Sequence, residues 1–123
     1  GRSYRFEVLD GDGGLLLDPS PALRAAVADR LAGRGAGHIA ASLHKGLAAS
    51  AARLAARIAA SDGLDTVCLS GGVFQNRALL ELTVDAMERR GLRVLLNRRV
   101  PANDGGIALG QAWYVLKGYS PAE

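Results

Sequence analysis

The sequence predicts an α/β lobe made of a β-hairpin, an αα-hairpin and a strand–helix–strand–helix unit. Three observations carry that expectation. Apolar and polar residues alternate at period two beside a Gly/Asp cluster near the start. Two helical stripes at four-residue spacing follow. Two short apolar runs then each lead to a Gly-Gly pair that precedes a helical pattern. With 123 residues, 49% hydrophobic and 22% charged, the chain has the size of about one domain and is too apolar for disorder. No apolar run approaches the ~20 residues that a bilayer-spanning helix requires, so no membrane partner is expected.

Tyr4-Arg5-Phe6-Glu7-Val8-Leu9 alternates as a half-buried strand does, and Leu15-Leu16-Leu17 returns after Asp10-Gly11-Asp12-Gly13-Gly14. The Asp-x-Asp spacing suggests a calcium loop, but Pro21 stands where that loop needs its twelfth-position Glu, so a turn is expected. Asp18-Pro19-Ser20-Pro21 is helix-start chemistry: a capping side chain, then Pro in the first turn. Leu23, Val27 and Leu31 form the stripe of that helix, which ends between Gly33 and Gly37. Ile39, Leu43, Leu47, Ala51, Leu54 and Ile58 mark a longer helix, stopped at Ser61-Asp62-Gly63. Thr66-Val67-Cys68-Leu69 is the first short strand and breaks at Ser70-Gly71-Gly72. Leu80, Val84 and Met87 carry a helix to Gly91, and Leu92-Arg93-Val94-Leu95-Leu96 is the second strand. After Pro101, Ala102-Asn103-Asp104-Gly105-Gly106 introduces a last helix to about Lys117. Strand, helix, strand, helix implies a right-handed crossover and a parallel pair.

Net charge +3 comes with a pI near 9.5. Of the 15 basic residues 13 are Arg, and 22 residues are Ala, which reads as a compositional bias rather than a nucleic-acid surface. Aromatics, at 5%, are too few to stack bases between the arginines, so no nucleic-acid partner is expected. The cluster Arg89, Arg90, Arg93, Arg98 and Arg99 reads as a solvated helix end and loop. Cys68 is alone, which suits a reducing compartment, and no signal peptide is visible at the start, so a cytoplasmic location is expected. Within a strand run Cys68 reads as a small buried hydrophobe. Trp113 and Tyr114 are expected to pack the last helix on the sheet. The run Ala48, Ala49, Ala51, Ala52, Ala55 and Ala56 permits a close helix contact, within this chain or in a homodimer.

Chemistry concentrates in two motifs. In Leu69-Ser70-Gly71-Gly72-Val73-Phe74-Gln75-Asn76 a Gly pair separates a buried strand from a helix start. Ligands of parallel sheets bind beyond the strands' carboxyl ends, where Gly admits a phosphate close to the main chain and free N–H groups suit an anion. The same turn also works as a bare strand-to-helix connection. Asn76 is expected one turn into the helix as a donor and acceptor. Asn103-Asp104-Gly105-Gly106 repeats the layout, with an acidic residue that can cap a helix or ligate a metal. Adjacent parallel strands would set both loops side by side, as one site.

Leu69-Ser70-Gly71-Gly72-Val73-Phe74-Gln75-Asn76-Arg77, with Asn103-Asp104-Gly105-Gly106-Ile107-Ala108-Leu109-Gly110-Gln111-Ala112, resembles the C-terminal end of the HypF family. These are the carbamoyltransferases that mature nickel–iron hydrogenases. The resemblance extends over essentially the whole chain. It implies one lobe, residues 1–123, of an actin/hexokinase-like (ribonuclease H-like) ATPase fold, in a module similar to the tRNA threonylcarbamoyl-transferases. It implies an enzyme that consumes carbamoyl phosphate and ATP, forms carbamoyl-adenylate, and carbamoylates the C-terminal cysteine of a HypE-type acceptor. The product becomes the cyanide ligand of the hydrogenase iron. By the same resemblance Gly71 and Gly72 face the nucleotide phosphates, Asn76 contacts the nucleotide, and Asp104 ligates a divalent metal: iron, zinc or magnesium.

The family completes that metal site with a His-x-x-x-His pair from a preceding lobe. His38 and His44 are six residues apart and do not reproduce it, so the histidines are expected from outside the chain. His44 lies in Leu43-His44-Lys45, where the family usually reads Phe-His, and is expected to be a packed or surface residue. The start at Gly1-Arg2 without Met reads as a cut or processed chain, one that is catalytically silent alone. Two other readings stand beside this one. One is an antibiotic-type O-carbamoyltransferase; the other is a non-catalytic, helix-rich interaction module.

Overall fold

In the computed structural model, residues 2–118 are described. The elements follow the expected order. Strand β1 (Glu7–Gly11) pairs antiparallel with β2 (Gly14–Asp18), from Glu7↔Asp18 to Gly11↔Gly14. Helices α1 (Ser20–Leu31) and α2 (Ala36–Asp62) follow. Then come β3 (Thr66–Leu69), α3 (Arg77–Glu88), β4 (Arg93–Leu96) and α4 (Ile107–Leu116). β3 and β4 pair in parallel, Thr66↔Arg93 to Leu69↔Leu96, which is the crossover the alternation implied. Among the described residues no helix is long and apolar enough to cross a membrane.

Local chemistry explains the boundaries. Asp18 Oδ1 accepts from both the Ser20 backbone N–H (2.9 Å) and Ser20 Oγ (2.6 Å) at the start of α1. These bonds hold the Asp18 carboxyl below the usual carboxylate range. α2 ends where Gly63 takes φ 67°, the left-handed conformation that a side chain disfavours.

The first strand starts later than the alternation suggested. Tyr4 and Phe6 lie ahead of β1, and both are buried. The Tyr4 backbone N–H donates to the Ser42 carbonyl of α2 (3.1 Å), so the segment runs along a helix instead of a sheet. Gly46 makes this possible, because a methyl there would overlap the Tyr4 carbonyl oxygen. The Tyr4 ring then joins Phe6 and Ala22 in one small core, flanked by Ile39, Leu43 and Leu47. Its hydroxyl donates to Oδ2 of buried Asp29 (2.8 Å), while Asp29 Oδ1 faces Arg34 (3.0 Å) and Arg2 (3.6 Å). The Tyr4 bond is the main reason the Asp29 carboxyl stays low, against the opposing effect of burial, with the two arginines helping. Burial, then the Asp29 bond, pushes the Tyr4 hydroxyl up.

A second core joins α2, α3 and β3 through Ala52, Ala59, Leu69, Ala86, Met87 and, just before β4, Leu92, with Val94 and Leu96 of β4 packed against it. The alanine run of α2 is therefore an internal contact. Ala48, Ala52 and Ala59 are buried, and their small side chains bring α3 close. The close helix contact that this run permits is thus made within the chain.

Three burial expectations need correction. Leu23, Val27 and Leu31 of α1 are exposed, and Ala22 and Asp29 are the buried residues of that helix. Trp113 (61% exposed) and Tyr114 do not pack α4 on the sheet, since no residue of α4 is buried; Lys117 Nζ instead lies 4.8 Å from the Trp113 ring centre. Cys68 is exposed. In β3, Leu69 turns into the core while Cys68 and its cross-strand partner Leu95 take the open face.

Two outcomes test this packing. Gly46→Ala should destabilise the chain by about 1–3 kcal/mol, since it overpacks against main chain that cannot yield cheaply; an unchanged urea midpoint would contradict the contact. Asp29→Asn should flatten the acid limb of stability. A carboxyl held low in the folded state stabilises above its unfolded value of about 4, and that contribution is lost as pH falls through the folded value. Thermal unfolding between pH 6 and 3 should show a shallower fall for D29N, with Asp18 supplying the remaining slope; equal slopes would refute the assignment.

Candidate functional site

The site lies at the carboxyl ends of the parallel pair. β3 runs out at Leu69, and Gly71 adopts φ 107°, ψ 155°, a region open essentially to glycine. That turn aims the Gly71 N–H at the Ala102 carbonyl oxygen, 2.7 Å away in the loop after β4. Gly72 stands beside Asn103: a methyl at Gly72 would lie 3.9 Å from Asn103 Cβ. The two Gly-Gly loops are therefore neighbours, as expected from adjacent parallel strands. Between them is a groove of about 280 Å³ lined by Ser70, Gly71, Pro101, Ala102, Asn103 and Asp104, among others.

After Gly71 the chain does not enter α3 directly. Gly72–Gln75 forms a tight 3₁₀ turn, and Asn76 caps α3, its Oδ1 accepting the Leu79 N–H at 3.1 Å. Asn76 is thus at the helix boundary and not one turn inside. Among the described residues the Gly72 and Val73 N–H groups have no intramolecular acceptor. They are open donors at the turn that the sequence marked for an anion.

The second loop divides its labour. Asn103 caps the short 3₁₀ turn Asp104–Gly106, its Oδ1 accepting the Gly105 N–H at 3.0 Å. Asp104 is consequently not needed as a cap. Its carboxylate is exposed on the groove wall and has no hydrogen-bond or ion-pair partner among the described residues. The loop is tightly wound, since a methyl at Gly106 would come within 2.9 Å of Pro101 O and Val100 Cγ1. No group of three His, Cys, Asp or Glu side chains converges among the described residues, so Asp104 offers a metal a single carboxylate.

One site neighbour escaped the sequence reading. His44, on α2, places Nε2 2.8 Å from Asn76 Nδ2, while its Nδ1 lies 2.7 Å from Ala40 O. The spacing of 32 residues hides this pair, though two polar side chains abutting apolar stripes on consecutive long helices offered a faint signal. His38 does not share the contact. The arginine cluster disperses as expected of a solvated end. Arg89 pairs with Asp85, Arg90 donates to Ala86 O (2.8 Å) and Arg93 to Thr66 Oγ1 (3.1 Å).

The two glycines of the first loop should separate in a mutational test. Gly71→Ala is expected to cost on the order of 1–3 kcal/mol for backbone strain, whereas Gly72→Ala stays within about 0.5 kcal/mol of the parent. Denaturant unfolding of both variants measures this, and equal losses would contradict the turn geometry.

Comparison with known proteins places the chain in a family. Residues 2–111 match the family model described as carbamoyltransferase, Kae1-like domain, second subdomain. Carbamoyltransferase HypF2 of Cupriavidus necator is 42% identical over 106 residues, 86% of this chain and 13% of that protein. The HypF carbamoyltransferase of Rhodobacter capsulatus is 37% identical over 96 residues, 78% of this chain and 12% of that protein. A full-length HypF crystallised in its phosphate- and nucleotide-bound form superposes with TM-score 0.88 at 35% identity, over 98% of this chain and 16% of that one. HypF of T. kodakarensis gives TM-score 0.74 at 28% identity, over 97% and 16%. The chain spans about an eighth of the length of these two curated relatives. With its strand order, paired Gly-Gly loops and family match, it belongs to the HypF carbamoyltransferases, as the second subdomain of their Kae1-like domain.

Proposed function

We propose that this chain supplies one wall of the nucleotide site of a HypF-type carbamoyltransferase. The observation that carries the proposal is the division between Asn103 and Asp104: the amide does the capping and leaves the carboxylate unengaged beside the Gly71 turn. In this reading Gly71 and Gly72 admit the phosphates of ATP to the main chain, with the open N–H groups of Gly72 and Val73 as donors. Asn76 contacts the nucleotide. Asp104 is one ligand of a divalent metal, iron, zinc or magnesium, whose other protein ligands are histidines outside this chain. Bound there, the metal would supply positive charge against phosphate or carbonyl oxygen.

In the reaction proposed for the whole protein, water hydrolyses carbamoyl phosphate to carbamate and inorganic phosphate, and a carbamate oxygen attacks the α-phosphorus of ATP, releasing pyrophosphate and giving carbamoyl-adenylate. The thiolate of the C-terminal cysteine of a HypE-type acceptor then attacks the carbonyl carbon, and AMP leaves, giving the thiocarbamate precursor of the hydrogenase cyanide ligand. The residues of this chain bind and orient the phosphate end of that intermediate. Cys68, though exposed, has no role here, because the acceptor thiol belongs to the partner. That a full-length HypF of similar fold was crystallised with phosphate and nucleotide bound is in keeping with this reading. The exposed apolar residues of α1 and α4 are where the remainder of such an enzyme would pack.

Titration of the chain with ATP and Mg²⁺ should shift the backbone amides of Gly71, Gly72, Val73 and Asp104 at millimolar ligand. Gly72→Ala should weaken those shifts while leaving stability near the parent's, and Asp104→Asn should abolish their dependence on the metal. No perturbation of these amides in the parent would refute the nucleotide reading.

A further inference from the structure

His44 belongs to α2 and Asn76 to the cap of α3, yet the two side chains meet at 2.8 Å. Their outer partners determine which atom donates. Ala40 O, 2.7 Å from His44 Nδ1, can only accept, so Nδ1 carries the ring proton. In the neutral ring Nε2 then bears the lone pair and accepts from Asn76 Nδ2. On the far side the Leu79 N–H can only donate, so Oδ1 of Asn76 must face it. The carboxamide orientation and the histidine tautomer are thus settled by two backbone groups. Every bond runs one way: Asn76 donates to His44, and His44 donates to Ala40.

We infer that His44 is a positioning residue, holding the Asn76 carboxamide in the one orientation that caps α3 and leaves one N–H and one oxygen lone pair available to a ligand. The consequence for a ligand rests on the reading of Asn76 as a nucleotide contact. The terminal torsion of an Asn side chain is broad and roughly two-fold, so its oxygen and nitrogen exchange places at little intrinsic cost. The Leu79 N–H favours one of the two orientations, and a neutral His44 with Nε2 bare favours the same one. Loss of His44 leaves a single anchor on an exposed side chain. The coupling also makes α2 a support for the Gly71–Asn76 turn, because Asn76 is the residue at which that turn becomes helix α3.

The test uses the full chain and three readouts. Nitrogen-15 spectra of the wild-type histidine rings should show His44 protonated at Nδ1 and bare at Nε2; the opposite tautomer overturns the inference without any variant. His44→Phe, which keeps a ring but removes the acceptor, should move the hydrogen-bonded Asn76 side-chain amide proton upfield and so change the separation of the two. It should also weaken ATP–Mg²⁺ binding about fivefold, as befits one lost hydrogen bond. His44→Gln returns an acceptor at the reach of Nε2, and should restore both the amide signature and affinity to within about twofold of wild type. A merely structural histidine would lower thermal stability in both variants without this rescue, and unchanged Asn76 resonances in His44→Phe would overturn the inference. Wild-type protein that shows the tautomer and the Asn76 signature but binds no ATP refutes the nucleotide reading and leaves the positioning role standing.

Discussion

The hydrogen bond from the Gly71 N–H to the Ala102 carbonyl oxygen is the constraint on which the site depends. It continues the contact of two parallel strands into the loops beyond them. A parallel pair requires a crossover, and here α3 is that crossover, so both strands end on the same side of the molecule. Gly71 reaches Ala102 only because it adopts a backbone conformation closed to other residues. From that tie follow the nearness of Gly72 to Asn103, the groove between them and the placing of Asp104 on its wall.

Helix α2 is the support on which both halves of the chain are assembled, and it serves by having small residues on its two contact faces. Gly46 receives the Tyr4 main chain, and Ala52 and Ala59 lie in the core shared with α3. A larger side chain at these positions would push a neighbour away, since interiors at native packing density have little space to give. The same closeness of α2 and α3 lets His44 reach Asn76 across 32 residues. Packing between alanines and a polar contact at the Gly71–Asn76 turn are therefore parts of one arrangement.

The buried Asp29 is the principal polar group inside the hairpin half. Tyr4, Arg34 and Arg2 surround it, so the carboxylate is compensated and not stranded. The apolar residues that alternate with this order are less well served. Leu23, Val27 and Leu31 obey helical spacing yet face outward, as does most of α4. Periodicity identifies a helix and its apolar face, but says nothing about whether the surface meant to cover that face lies within the same 123 residues.

Element order, the hairpin, the long α2 and the parallel pair were all legible in the sequence, because each depends on local spacing and on Gly and Pro at the boundaries. The adjacency of the Gly71-Gly72 and Asn103-Asp104 loops was legible too, from motif and strand order. The exact start of β1 was not, since Tyr4 and Phe6 alternate as a strand would and are diverted by a glycine 42 residues on. Asn76 was placed one turn too deep, because a 3₁₀ turn and an α-turn look alike in four residues. Capping by Asn103 in place of Asp104, the outward turn of Cys68 and the His44–Asn76 bond were decided only in three dimensions. Asn103 and Asp104 offer similar local chemistry and the loop geometry brings Asn103 Oδ1 to the Gly105 N–H; the strand's alternation gives the core to Leu69 and the open face to Cys68; and the packing of α2 on α3 brings His44 within hydrogen-bonding distance of Asn76.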